Sequence, residues 1–185
     1  MRILQSYIAI VFLFIIAGTL ACAPSIILGR ISSATYQPHP SNATFFIVQS
    51  NKVTLTERNI QILIAKEMEK LGFERAVEHA TGDVAVLYSY SIGPGTTSVS
   101  SSPDFVWGGQ RVESSTKYPC YFHIVIIDIK RTLVQKEPVF IWQSELYSSG
   151  ESWNISWLAE TFVPEMFKWY GKNVTNKIFM VPRRQ

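Results

Sequence analysis

The chain has almost none of the residues that build metal centres or disulfide frameworks. Its 185 residues include only two cysteines, Cys22 and Cys120, and three histidines. His39, His79 and His123 fall in no His-Glu-x-x-His spacing, and Cys120-x-x-His123 alone is half a ligand set. No metal and no other cofactor is therefore expected. The many serines include no Gly-x-Ser-x-Gly elbow. Gly93-Pro94-Gly95 lacks the lysine and the following helix of a phosphate loop. An excess of one charge is missing too: 17 Lys and Arg stand against 14 Asp and Glu, a net +3. The densest basic spot, Arg183-Arg184, falls far short of the stripe a nucleic acid requires, which argues against that partner. These absences favour a protein that is not an enzyme.

Charge is also lacking between Arg2 and Arg30, and there the gap is informative. Arg2 is followed by an apolar run from Ile8 to Ala17 and then by Gly18-Thr19-Leu20-Ala21-Cys22. A basic start, a short apolar stretch and small residues before a cleavage point make a secretory signal peptide. A cysteine directly after that box is where bacterial lipoproteins carry their lipid, although Thr19 stands where an aliphatic residue is usual. The expectation is a signal peptide over residues 1–21 and an acylated Cys22 that begins the mature chain and holds it to a membrane. Ala23 in place of an aspartate points to the outer membrane, with the domain facing the periplasm. An uncleaved anchor over Ile8 to Ile27, about 20 residues, is the alternative and would sit in the inner membrane. An ordinary secreted protein is a third. With Cys22 acylated, Cys120 has no disulfide partner. Its neighbours Pro119, Tyr121 and Phe122 place it in a core, where cysteine behaves as a small hydrophobe. Were the signal uncleaved, a Cys22–Cys120 bridge would become possible.

Residues 22–42 read as a tether, with Pro24, Pro38, Pro40 and no sustained period. Residues 43–182 read as one α+β domain. A first strand spans 43–49 (Ala-Thr-Phe-Phe-Ile-Val-Gln). A helix follows, with Thr54 and Glu57 as a capping box, Ile60, Leu63, Ile64, Met68 and Leu71 on one stripe, and Gly72 as its stop. Asp83 to Ile92 alternates as a second strand. Residues 93–117, rich in Gly, Ser, Thr and Pro, read as a long flexible loop that is either mobile or functional. Tyr121 to Lys130 and Val139 to Tyr147 form a hairpin whose first strand is the most buried. A closing helix from Ser156 to Tyr170 contains Pro164, which predicts a kink or a late start. A short strand or loose tail over 176–182 ends the chain. The β-α-β-β-β-α order predicts a small antiparallel sheet of about four strands with two helices on one face, preceded by the signal helix.

The helix ending in Leu71-Gly72-Phe73, the strand Asp83-Val-Ala-Val-Leu-Tyr88, the run Ile124-Val-Ile-Ile-Asp128 and the stretch Phe140-Ile-Trp142-Gln-Ser-Glu-Leu-Tyr147 together carry a resemblance. From about Ala43 to Tyr170, and in its lipidated-cysteine start, the chain is similar to bacterial lipoproteins of the DUF4136 type, a domain of unknown function. Pro119-Cys120 stands where that pattern has a glycine, and the Ser-rich loop has no signature of the family. The resemblance implies an anchored, extracytoplasmic α+β domain and supplies no catalytic residues.

Asp83 and Asp128, near strand ends, and His123 on the central strand are the groups an envelope hydrolase would use. The more economical reading makes Asp83 a turn residue, Asp128 an acceptor for backbone donors and His123 a packed strand residue. The three Asn-x-Ser/Thr sequons, at Asn42, Asn154 and Asn173, matter only in a eukaryotic cell, which the lipid-attachment box argues against. Aromatic residues are plentiful. Trp142 and Trp169 fit core positions, while Trp107 in the loop and Trp153 and Trp157 at a loop-to-helix junction are candidate partner contacts. The leading expectation is a non-enzymatic interaction or assembly module of the cell envelope with an envelope protein as partner. A carrier holding a small apolar ligand between sheet and helices, near Tyr88, Tyr90 and Phe162, is the alternative.

Overall fold

The computed structural model of the chain describes residues 26–38, 40, 42–48, 53–76, 82–104 and 109–182. Leu28–Met180 make one compact unit; residues 1–27 and 181–185 are assigned to another, of which only 26–27 and 181–182 are described. The elements are β1 (Ile26–Thr35), β2 (Thr44–Ile47), α1 (Leu55–Lys70), β3 (Glu74–Arg75), β4 (Val84–Ile92), β5 (Thr96–Asp104), β6 (Gly109–Asp128), α2 (Ile129–Gln135), β7 (Val139–Gly150), α3 (Ile155–Phe167) and β8 (Val174–Pro182). The strands run β3-β2-β4-β6-β7-β1-β8 across one sheet, with β5 paired to β6 alone.

This overturns the expected small antiparallel sheet with two helices. Eight strands form a mixed sheet, and the described residues contain three helices. β2 is parallel to both β3 and β4, because the chain leaves β2 through α1 before it returns to the sheet. The pairs β1–β7, β4–β6, β5–β6 and β6–β7 are antiparallel.

Three segments account for most of the difference. Residues 26–35, expected inside a tether, are β1, and the compact unit begins at Leu28 rather than at 43. Its sequence, Ile-Ile-Leu-Gly-Arg-Ile-Ser-Ser-Ala-Thr, hides the strand because small residues do the packing. Gly29 lies against Phe179, where an added Cβ would stand 2.8 Å from the carbonyl oxygen of Tyr147. Ser33 Oγ donates to the carbonyl oxygens of Lys172 at 2.7 Å and Trp169 at 3.3 Å. In the second segment, expected as a flexible loop, Thr96 to Asp104 pairs with Gly109 to Lys117 as a β-ribbon. The third is the connection after Asp128, where α2 stands in place of a plain turn. Asp128 caps it by accepting from the Arg131 N–H at 2.9 Å, and Lys136 closes it at φ 60°.

The elements with strong local signals form as expected. Thr54 Oγ1 accepts from the Glu57 N–H at 3.2 Å while the Glu57 carboxylate accepts from the Thr54 N–H at 2.7 Å. At the other end Gly72 has φ 88°. The Phe73 N–H reaches the carbonyl of Met68 and the Gly72 N–H that of Glu69, the paired closure that a left-handed residue permits. Asn154 caps α3, accepting from the Trp157 N–H at 3.3 Å, and that helix runs through Pro164 near its end.

α1 and α3 cover one face of the sheet. Ile60, Ile64 and Met68 of α1 and Phe162, Val163 and Met166 of α3 have no exposed surface. They meet Val84, Val86, Phe122, Ile124, Ile126 and Trp142 from the strands, all fully buried or nearly so. Trp142 is wedged between Phe167 and Tyr170, each with its ring centre 5.4 Å away. Strand alternation turns the other set of side chains to the opposite face. There Leu87, Tyr121, Phe140 and Tyr147 are exposed, so among the described residues no layer covers it.

Candidate functional site

Cys22 and Trp107, the expected lipid-attachment residue and the loop tryptophan, lie outside the described residues, as do His39 and His79. Trp153 is 70% exposed just before α3. Trp157, one turn into that helix, is half-buried. The two therefore differ: one ring is offered to solvent, the other is partly seated. Trp142 is core, as expected. Trp169 lies beyond the end of α3, with the Lys172 and Lys177 ammonium groups 5.6 and 5.9 Å from its ring centre.

The three groups considered for hydrolysis do not assemble. Asp83 and Asp128 are close, since Val84 pairs with Asp128. His123 sits five residues back along β6, about 16 Å at strand rise, and pairs with Ser89. Both carboxylates already hold structure. Asp83 accepts from the Thr44 N–H at 3.0 Å and its hydroxyl at 3.1 Å, and forms an ion pair with Lys130 at 2.5 Å. That lysine, above all, together with the Thr44 N–H, holds the carboxyl below its ordinary pKa. A general acid needs the reverse shift. Asp128 caps α2 and has the Arg131 guanidinium at 3.5 Å. Cys120 is buried, and desolvation pushes its thiol up to about 11, the inert core role expected of it.

The residues named for a carrier, Tyr88, Tyr90 and Phe162, each make contacts within the fold. Phe162 packs edge-on against Phe179, Tyr90 stacks on Phe122, and the Tyr88 hydroxyl accepts from Gln61 Nε2 at 3.2 Å.

A concavity lies over β4, β6, β7 and β1 on the face away from α1 and α3, and has a volume of about 700 Å³. Two rows of cross-strand neighbours floor it. One is Ser89–His123–Glu145–Ser32 and the next is Ser91–Tyr121–Tyr147–Arg30. Asn176 of β8 adds to the rim, and its N–H donates to Ser32 Oγ at 3.0 Å. The Tyr121 and Tyr147 rings are 4.9 Å apart and inclined at 46°. His123 Nε2 is buried and has no hydrogen-bond partner among the described residues. Sequence reading placed His123 on the central strand but missed the companions. They come from four strands, and only the alternation of each strand, taken with a correct register, would have found them.

Of the described residues, those of the ribbon form the other distinctive surface. None of residues 96–102 and 110–117 is buried. Polar contacts hold it: the Thr97 and Thr116 hydroxyls are 2.8 Å apart, and Ser98 Oγ donates to the Ser115 carbonyl at 3.3 Å.

The chain is thus an α+β protein with helices on one face of a mixed sheet and a hollow of mixed polar and aromatic lining on the other. A similar fold occurs in the crystal structure of a PDZ domain protein from Parabacteroides distasonis, with a TM-score of 0.52 and 15% identity. The match covers 84% of this chain and 38% of that one, so this chain spans well under half the length of that protein. No protein-family model and no curated protein matches the sequence.

Proposed function

We propose that this protein is a bacterial envelope lipoprotein of the DUF4136 type. Acylation at Cys22 anchors it to the outer membrane facing the periplasm, and it acts as a non-enzymatic interaction or assembly module. The β5–β6 ribbon and the Trp153/Trp157 junction are its contact surfaces for an envelope protein. The observation that carries this reading is the ribbon: a paired segment of some twenty residues, none of its described side chains buried. A two-stranded ribbon gains little from burying its own apolar surface and is marginal alone. A chain that orders one in continuity with its sheet presents a long arm at low entropic cost to a partner. The occupied carboxylates of Asp83 and Asp128 support a role without catalysis.

Two measurements test the parts separately. Intact mass of the mature protein extracted from cells should give a chain that begins at an acylated Cys22, and Cys22→Ser should leave the detergent phase. A chain starting elsewhere, or one that partitions into buffer, ends the lipoprotein reading. Replacing residues 96–117 by a short turn should leave the unfolding midpoint nearly unchanged while abolishing a specific crosslinked partner band in cells. An unchanged band ends the arm reading.

A further inference from the structure

The hollow on the uncovered sheet face is a second site, independent of the ribbon and of the anchor. We propose that it binds a neutral carbohydrate of about disaccharide size. Its floor is four mutually paired strands, so their backbone donors and acceptors are already used within the sheet and no peptide strand can add to them. Recognition must come from side chains. Beside the aromatic and apolar part of the lining, the polar side chains include hydroxyls at Ser89, Ser91 and Ser32, the His123 imidazole, the Glu145 carboxylate and the Arg30 guanidinium. This mixture of donors and acceptors matches a ligand carrying many hydroxyl groups.

Charge excludes the main rivals. Arg30 and Glu145 balance, and Glu145 stands beside His123 in the middle of its row, where it repels a phosphate or a carboxylate. A purely apolar ligand would strip water from three serines and a carboxylate without replacing their hydrogen bonds. The aromatic pair completes the argument. Tyr121 and Tyr147 are 53% and 39% exposed, unusual for large rings on neighbouring central strands, and their inclined faces suit the C–H faces of sugar rings. The volume of about 700 Å³ is of the size that small-molecule sites have.

The test uses the full chain in micelles of a detergent with no sugar headgroup. Saturation-transfer NMR is run with cellobiose and with N,N′-diacetylchitobiose, each titrated to about 20 mM, a range suited to millimolar affinity. At least one should show saturable transfer. Tyr121→Ala and Tyr147→Ala should each weaken it by roughly 5- to 10-fold, as loss of one aromatic contact does. Glu145→Gln should also weaken it while leaving the unfolding midpoint unchanged, and it carries the test if a tyrosine variant fails to fold. Trp153→Ala, outside the hollow, should bind as the parent does. Three results overturn the proposal: no transfer from either disaccharide, parent-like binding by all three hollow variants, or displacement of the sugar by inorganic phosphate. Replacing the ribbon or Cys22 should leave sugar binding intact, so this site and the anchored-arm reading fail separately.

Discussion

β6 is one continuous strand that lives in two environments. From Cys120 to Asp128 it lies between β4 and β7, with Cys120, Phe122, Ile124 and Ile126 buried beneath helices. From Gly109 to Lys117 it pairs with β5 alone, and none of its described side chains there is buried. Backbone pairing is the same in kind along both halves. What differs is the side chains: bulky apolar residues alternate in one, Ser, Thr and charged residues in the other. A hydrogen-bonded ladder therefore needs no core beneath it, provided one end is clamped in a sheet that has one. Stability should concentrate in the covered half, leaving the ribbon free to tolerate change.

The largest expected contrast comes from Phe162→Ala, which empties a fully buried position between α3 and the sheet. It should cost about 3–5 kcal/mol in denaturant unfolding. A cost below 1 kcal/mol would mean that the helix layer does not form the core. Next is Gly29→Ala, which pushes a methyl group against Phe179 and the Tyr147 carbonyl. We expect a loss of about 1–3 kcal/mol in the same assay. A neutral result would place β1 outside the packed unit. Asp128→Ala removes the cap of α2 and should cost about 1 kcal/mol, read from the thermal midpoint at fixed pH.

Asp83→Asn sharpens the comparison through pH. Because the folded carboxyl titrates below its ordinary range, its contribution is complete above about pH 4 and fades as pH falls through the lower folded value. The advantage of the parent over Asp83→Asn at pH 6 should therefore shrink on acidification. An advantage that holds constant to pH 2 would show that the Lys130 pair does not act in the folded state. The smallest effect is predicted for Val112→Ser in the ribbon, a 64% exposed position. A change within about 0.5 kcal/mol is expected, and a larger one would mean the ribbon packs against something.

The parts legible beforehand share one property: their signals are local. Thr54, Glu57 and Gly72 mark both ends of α1 within its own turns, and the alternation of Val84, Val86, Tyr88 and Tyr90 marks β4. The buried run of β6 and its return along β7 were visible for the same reason. β1 was invisible, since its residues on the helix face include a glycine and a serine whose role depends on Phe179, Trp169 and Lys172 far along the chain. α2 was missed because it has seven residues and buries none of them. The ribbon was read as loop because serine is a turn former in isolation, and only pairing with β6 gives Ser98 to Ser102 a strand's geometry. The hollow was out of reach for a related reason. His123, Glu145, Ser32 and Ser89 become neighbours only once three strand registers are set.

The order of residues alone established where α1 begins and ends and which strands carry the heaviest apolar load. Folding in three dimensions decided how many strands join the sheet, that β2 runs parallel to its neighbours, and which face stays open to water. The reason is range. Caps and periodicity are settled within a few residues, whereas strand pairing joins segments more than a hundred residues apart, such as Gly29 with Ser148, and a single-residue slip would turn every side chain to the wrong face.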